Sequence, residues 1–443
     1  MTALGHTAST TSAPPPSPGA RLSLALLLAI NMFNYIDRYI LAAVEPEIRK
    51  HFFPGAEGAS AASAKEELMA SMAKTGSLAT AFLLSYMIAA PIFGWLAGRM
   101  SRWVLVGISV GIWSLASGAS GLAQTFTLLV LTRCFVGIGE AGYGPVAPTI
   151  ISDLYPLQRR GAVLAWFYMA IPVGSALGFA MGGLISAHSK HWGWRAPFFW
   201  VVPPGLLLAA FCFFMKSPRA SEKPEAGTEK PKARLRDYLA ILKIPSYLLD
   251  TAGMAAMTFA IGGFSFWMPA YLHDQRHAGD LAKVNTYFGG IMVVAGITAT
   301  LLGGWLGDYF RRYTSGAYFI VSASGILIST IFIILMMHAP FPFAWIWVFL
   351  AIFFLFINTG PSNTILANVT RPEVRASAFA LNILIIHALG DAISPPVLGA
   401  IAGKSWDAAL YVVCVVMALA SLLWFWGAVF LKRDTDRVEQ TTT

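Results

Sequence analysis

The sequence predicts an all-α membrane protein of twelve transmembrane helices in two six-helix bundles, and three observations predict it. The 443 residues are 56% hydrophobic and only 12% charged, against about 25% charged residues in a soluble domain. Apolar runs long enough to cross a bilayer, which takes roughly 20 residues, recur along the chain. A polar stretch rich in Lys, Glu and Pro, from Lys216 to Arg236, divides these runs six and six. The runs are continuously apolar instead of alternating, which excludes a membrane β-barrel.

In order, the spans are read at 22–44, 75–97, 103–123, 126–152, 162–187, 197–215, 246–272, 283–307, 316–337, 342–368, 376–402 and 407–431. Several are long enough to tilt or to protrude from the bilayer. The expected organisation is a flexible tail at 1–21, a bundle at 22–215, a solvated linker at 216–245, a bundle at 246–431 and a tail at 432–443. The first tail is rich in Pro, Ser, Thr and Ala, with Pro14, Pro15 and Pro16 in a row. A cleaved signal would need a basic start and a short apolar core instead. Cys134, Cys212 and Cys414 lie far apart inside apolar runs, without metal or disulfide spacing, and read as packing residues.

Twelve spans put both termini on one side. Lys and Arg favour that side by about two to one, through pairs such as Arg99 and Arg102, Arg159 and Arg160, Arg311 and Arg312, and Arg371 and Arg375. Both termini are therefore expected in the cytoplasm, with the chain in a bacterial inner membrane. The net charge of +9 follows from this bias and does not require nucleic acid.

The halves resemble one another. Gly94-Trp95-Leu96, running on to Arg102, recurs as Gly304-Trp305-Leu306, running on to Arg312. Thr149 to Arg160 parallels Thr364 to Arg375. Basic turns alone would repeat the arginines but not Gly-Trp-Leu. Repeated halves around a midplane site are how many transporters alternate access.

Ionisable residues at bilayer depth are expensive and usually functional. Asp37 and Arg38 fall on span 1, after Asn31 and Asn34, and Arg133 and Glu140 fall on span 4. A spacing of seven returns to nearly the same helix face, within ~20°. Gly137, on that face, is expected to leave room for an incoming group. A buried arginine needs a carboxylate or a bound anion. A carboxylate that takes a proton releases its arginine, which can then hold phosphate or carboxylate. Proton and substrate become linked ligands of one site. The alternative is an ion-pair lock that positions the helices and never titrates, or an Asp37 that caps or gates near the interface.

The second half is read as mostly neutral at depth, with Asn358, Thr359, Ser362 and Asn363 on span 10 and Asn382 on span 11. His387 and Asp391, four apart, share one face of span 11. Span 7 offers Phe264, Phe266 and Trp267. One charged wall and one apolar wall suit an amphiphile with an anionic head. The expected cavity residues are Asn34, Asn358, Ser362, His387, Asp391, Phe264 and Trp267. Gly174, Gly178 and Gly182 on span 5 are expected to let helices approach closely, and Pro395-Pro396 to bend span 11.

The loop from Gly304 to Arg312 resembles the conserved cytoplasmic loop of the major facilitator superfamily. The resemblance implies a cytoplasmic gate of Arg99, Arg102, Asp308 and Arg312. Gly98 stands where the first half should carry the loop's acid, a departure. Four further stretches resemble the spinster family of that superfamily. They are Asn34-Tyr35-Ile36-Asp37-Arg38; Arg133 through Glu140-Ala141 to Pro148-Thr149; Gly193-Trp194-Arg195; and His387-Ala388-Leu389-Gly390-Asp391 with Ser394-Pro395. The first two also look like organic anion:cation symporters. The spinster resemblance implies transport of lysophospholipids or sphingolipid phosphates, with Asp37, Arg38, Arg133 and Glu140 as the coupling and headgroup network.

The expected function is thus secondary active transport, proton-coupled and by alternating access, of an anionic or zwitterionic amphiphile. The alternative is a proton-coupled symporter of a small organic anion such as a sugar acid. No His-Glu-x-x-His is present, and the one Gly-x-Ser-x-Gly match, Gly107 to Gly111, falls inside an apolar span where a nucleophile elbow needs a strand-to-helix turn, so neither an enzyme nor a cofactor or metal is expected. The expected partners are a lipid-like substrate, protons and membrane lipids, with the chain a monomer.

Overall fold

The computed structural model describes residues 18–55, 60–215, 239–371 and 374–442. The start of the expected N-terminal tail and most of the expected linker lie outside the described residues. Eleven helices among the described residues are long and apolar enough to cross a membrane. We number the spans α1 Ala20–Ala43, α2 Ala61–Leu96, α3 Arg102–Gly121, α4 Phe126–Ala141, α5 Leu157–His188, α6 Gly193–Phe214, α7 Pro245–Ala270, α8 Leu281–Arg311, α9 Ala317–His338, α10 Ala344–Val369, α11 Ser377–Ala402 and α12 Trp406–Gly427.

The twelfth span, α4, is broken. Its 16 residues stop at Ala141, and Gly142-Tyr143-Gly144-Pro145 makes a turn before the chain resumes at Ala147–Leu154. α10 breaks at the matching place, between Ala344–Phe356 and Thr359–Val369. The repeated segments at Thr149 and Thr364 both follow these breaks, so the two halves share a backbone irregularity as well as sequence.

α2 has 36 residues, about 54 Å of helix against a hydrocarbon core of about 30 Å. It starts well before the expected residue 75, carrying exposed Lys65, Glu66 and Glu67 beyond the apolar stretch. Side-chain oxygens cap four helices at the face opposite the termini. Ser60, Thr125, Asp280 and Ser405 accept from the amides of Ser63, Leu128, Lys283 and Ala408 at 3.3, 3.2, 2.8 and 3.2 Å. The bend expected in α11 is a π turn at His387–Asp391, after which the helix restarts at Ser394 with proline in its first turn. The residues expected to be a C-terminal tail form a helix, α13 (Leu431–Thr442). It is docked: Asp434 is buried and accepts from the Ser246 amide at 3.0 Å, at the start of α7.

The α5 glycines act as expected. A Cβ on Gly174 would lie 2.5 Å from the Met32 carbonyl oxygen, and one on Gly178 would lie 2.6 Å from that of Ile36, so α1 and α5 meet backbone to backbone. Outward-facing Leu22, Ile88, Phe214 and Val429 are exposed, as side chains solvated by lipid would be.

The halves are joined at one face. Arg49 Nη2 meets Asp274 Oδ2 at 2.6 Å, Asn285 Nδ2 donates to the Ala43 carbonyl at 2.9 Å, and Thr80 Oγ1 donates to the Ala392 carbonyl at 2.5 Å. Gly76 and Gly399 of opposite halves press on backbone at Pro395 and Met72. The three polar links all lie between that face and Thr80. The molecule is closed at the face away from its termini.

Candidate functional site

Four charged side chains meet where α1 crosses α4. Arg38 Nε donates to Glu140 Oε2 at 2.7 Å, and Arg133 Nη2 lies 3.5 Å from Asp37 Oδ2. Asp37 also accepts from Ser117 of α3, a partner not foreseen from the sequence. Asp37, Arg133 and Glu140 are almost wholly buried, whereas the Arg38 side chain keeps 23% of its surface open. Arg38 is also flanked by rings, its guanidinium carbon 5.0 Å from the Tyr35 centroid and 4.9 Å from that of Phe82.

The pairing leaves hydrogen-bonding capacity unspent. Arg133 Nε and Nη1 and Glu140 Oε1 are buried without a protein partner. Arg38 and Arg133 both line a cavity of about 220 Å³ between the halves. Tyr35, Tyr39, Leu41, Phe82 and Leu83 complete its first-half wall. The opposite wall has Ile261, Gly262, Phe266, His387, Asp391 and Pro395. His387 Nδ1 and Asp391 Oδ1 are 2.9 Å apart on the π turn, so the predicted pair forms and faces the arginines across the space.

Other predicted cavity residues lie elsewhere. Asn34 is buried one turn before Asp37, outside the cavity wall. Asn358 Nδ2 turns back to the Leu355 carbonyl at 2.5 Å, and Ser362 Oγ to the Asn358 carbonyl at 2.8 Å, so both satisfy their own helix. Phe264 and Trp267 pack inside the second half with Tyr271 and Trp406, and Trp267 Nε1 donates to the Pro395 carbonyl at 2.7 Å. Phe266 reaches the cavity instead, because each step along a helix rotates the side chain by about 100°. Gly137 leaves no room for a substrate; the Phe82 carbonyl and Ser85 hydroxyl of α2 occupy the place a side chain would take.

The expected gate residues stay within their own halves. Arg99 stacks on Trp95 at 3.6 Å, and Arg102 pairs with Asp153 and donates to Thr149 at 3.1 Å. Asp153 thus supplies the acid missing at Gly98. Asp308 accepts from the Tyr318 hydroxyl at 2.7 Å, and Arg312 stacks on Tyr309 at 3.6 Å.

Two features escaped the sequence reading. One is the closed face itself. Arg49, on the short helix Glu45–Phe52, bridges Glu45 at 3.1 Å and Asp274 of the other half. Thr75 of α2 donates to Glu45 at 2.6 Å. Burial pushes the Glu45 carboxyl above the usual carboxylate range, with Arg49 and Thr75 opposing the shift. Its signal was Glu45-Pro46-Glu47 and Arg49 directly after span 1. The other is Asp250 on α7, fully buried with both oxygens unpartnered, which makes the second half less neutral than its span 10 and 11 residues implied.

The family model of the Major Facilitator Superfamily matches residues 27–395. The chain is 31% identical to "Protein spinster homolog 1" of Xenopus tropicalis over 94% of this chain and 81% of that protein. It is also 31% identical to "Sphingosine-1-phosphate transporter SPNS2" of Danio rerio, over 92% and 84%. Its fold superimposes, with a TM-score of 0.77 and 22% identity, on a bacterial homolog to the human lysosomal transporter Spinster in an inward-facing and unoccupied conformation, covering 95% of this chain and 99% of that one. A D-xylose-proton symporter gives a TM-score of 0.72 at 16% identity, over 91% and 96%. With its duplicated bundles closed around a charged cavity at one face, this chain is a transporter that belongs to the major facilitator superfamily and, within it, to the spinster family.

Proposed function

We propose that this protein carries an anionic or zwitterionic amphiphile across a bacterial inner membrane, coupled to protons, by alternating access. The single observation that carries this reading is the pair of cavity-lining arginines, each held by a buried carboxylate and Arg133 with two donors unspent. An incoming phosphate or carboxylate offers what those donors lack. A proton on Glu140 frees Arg38, the more open arginine, to turn to the substrate. Loss of the substrate returns Arg38 to Glu140 and expels the proton. One charge moving through ~100 mV supplies ~2.3 kcal/mol, roughly a fifty-fold gradient.

Apart from Ser265, His387 and Asp391, the rest of the wall is aromatic and aliphatic, which suits an acyl or sphingoid chain. With the termini in the cytoplasm, the closed face is periplasmic and the cavity faces inward. Asp37 holds Arg133 in place and Ser117 holds Asp37, so the network is preorganised. A small organic anion is the second reading, favoured by a cavity of about 220 Å³, which admits a headgroup more readily than a whole lipid.

The test is uptake of a labelled lysophospholipid into proteoliposomes with and without an imposed pH gradient, beside Glu140→Gln. Gradient-driven uptake by the wild type and none by the variant is the expected result. Uptake that ignores the gradient would overturn coupling. Uptake of a sugar acid but no lysolipid would overturn the amphiphile.

A further inference from the structure

The duplicated halves place their termini-side acids differently: the first has Gly98 and Asp153 where the second has Asp308 and Asn368. In the first half Arg102 is neutralised by Asp153. The repeat places Arg312 at the position of Arg102 and Asn368 at that of Asp153. The second half therefore keeps the arginine and has an amide where its carboxylate would be. Among the described residues, no carboxylate lies within ion-pair distance of Arg311, Arg312 or Lys432.

These three cations, with Asn368, line a cavity of about 410 Å³ between the end of α8, the end of α10 and α13. Tyr318 and Thr435 add hydroxyls, and Asp436 is its only acid among the described residues. Arg312 is held in place, stacked on Tyr309 with Nε donating to the Tyr309 carbonyl at 2.9 Å, so its two terminal nitrogens point onward. Asp308 accepts from the Tyr318 hydroxyl and forms no ion pair with Arg311 or Arg312. α13 is pinned by Asp434 on α7, which fixes Lys432 as the third corner.

The surroundings identify the ligand. Trp305 and Phe310 on α8, and Trp426 and Val429 at the end of α12, are exposed one or two turns from the cations. Aromatic rings at a span end mark the headgroup level of a bilayer. Basic pockets between span ends at that level take anionic headgroups. We propose that this cavity binds the phosphate headgroup of an anionic phospholipid from the leaflet on the termini side, with its acyl chains against Trp305, Phe310, Trp426 and Val429. This site lies outside the transport cavity and is independent of the substrate assigned above.

The test measures binding of phosphatidylglycerol and of phosphatidylcholine with the same chains to the purified full-length protein in detergent, by native mass spectrometry. Asn368→Asp restores the acid of the first half at nearly constant volume. The wild type should favour phosphatidylglycerol, Asn368→Asp should lose about fivefold of that preference, and Asp436→Asn should gain a similar factor, as expected for one charge near a membrane surface. Equal binding of both lipids by the wild type, or a preference unchanged in Asn368→Asp, would overturn the proposal. Inorganic phosphate serves as the last arm. Retention of phosphatidylglycerol at millimolar phosphate supports a lipid, whereas displacement of the lipid by phosphate would assign the cavity to a free anion.

Discussion

The two halves share a backbone and put their charge at opposite depths. The first half holds Asp37, Arg38, Arg133 and Glu140 in its interior, and its termini-side arginine is neutralised by Asp153. The second half settles its deep Asn358 and Ser362 on its own helix and, among the described residues, sets no carboxylate within ion-pair distance of Arg311, Arg312 or Lys432 at the termini face. The same irregular helices, α4 and α10, serve both arrangements. A duplicated scaffold thus fixes where charge can be placed and leaves each copy to decide where it is spent. In the first copy it is spent on the midplane cavity. In the second it is spent at the membrane surface, with only His387 and Asp391 facing the cavity.

The largest effects should come from the first-half wall. Glu140→Gln takes away the charge that pairs with Arg38 but leaves Arg38 in contact with the cavity; Arg133→Leu strands Asp37 in a nearly dry site. Each removes a charged group on which the proposed coupling depends, so each variant should lose at least about a hundredfold in coupled uptake, the upper end of a charge-assisted bond of about 3 kcal/mol. Glu140→Gln should keep its melting temperature, because the remaining arginine is part-exposed and flanked by rings, whereas Arg133→Leu should melt lower. Wild-type uptake in either would show that the charged wall is only a lock between helices.

The second-half wall should matter less. Asp391→Ala removes the acceptor of His387 but leaves both arginine–carboxylate pairs intact. One charge-assisted hydrogen bond is worth about 1.5 kcal/mol, so uptake should fall about tenfold. A loss as large as that of Glu140→Gln would erase the difference between the walls and make the His–Asp pair an equal member of the network.

Much of this was legible in the residues. Continuous apolar runs located all twelve spans, and the doubled Gly-Trp-Leu located the halves. The four charges at depth stood out because ionisable side chains there are costly and turn to the bundle interior, and in the structure they pair with one another. What stayed hidden depends on three dimensions. Which arginine takes which carboxylate follows from how α1 crosses α4. Phe266 was displaced by its neighbours Phe264 and Trp267 because an aromatic cluster does not state its own rotation. Asn358 and Ser362 read as cavity groups, although a short polar side chain in a helix can bond the carbonyl three or four residues back. Gly137 read as space, and α2 filled it. Asp250 was passed over because it sits only one turn inside its span. Arg49 and Asp274, 225 residues apart, could be joined only by the closed face.

That face offers a smaller effect. Arg49 and Asp274 remain partly exposed, and such pairs contribute about 0.5–1 kcal/mol. Asp274→Asn should therefore raise the rate at which a maleimide modifies Ser71→Cys, buried in the closed state beside a cavity shared with Arg49 and Asp274, by about two- to fivefold. An unchanged rate would mean that backbone packing at Gly76 and Gly399 holds the face shut without the ion pair.

The smallest effect is its response to pH. Glu45 has a raised pKa in the closed state because it is buried, and opening the face would return it to water and to the ordinary carboxylate range. The closed state therefore binds the proton more tightly than the open one. Low pH on that side should favour closure, and the advantage should fade as pH rises through the closed-state pKa. Arg49 and Thr75 touch Glu45, and Asp274 faces it through Arg49; the first two favour the charged form and narrow the window. Labelling of Ser71→Cys, normalised to an exposed cysteine control, should rise by less than about threefold from the ordinary carboxylate range towards neutral pH, a change well under one pKa unit of linkage. Glu45→Gln mimics the protonated form and should label slowly at every pH. A pH response that survives this substitution would move the sensor from Glu45 to His273 or Asp274, its neighbours on the other half.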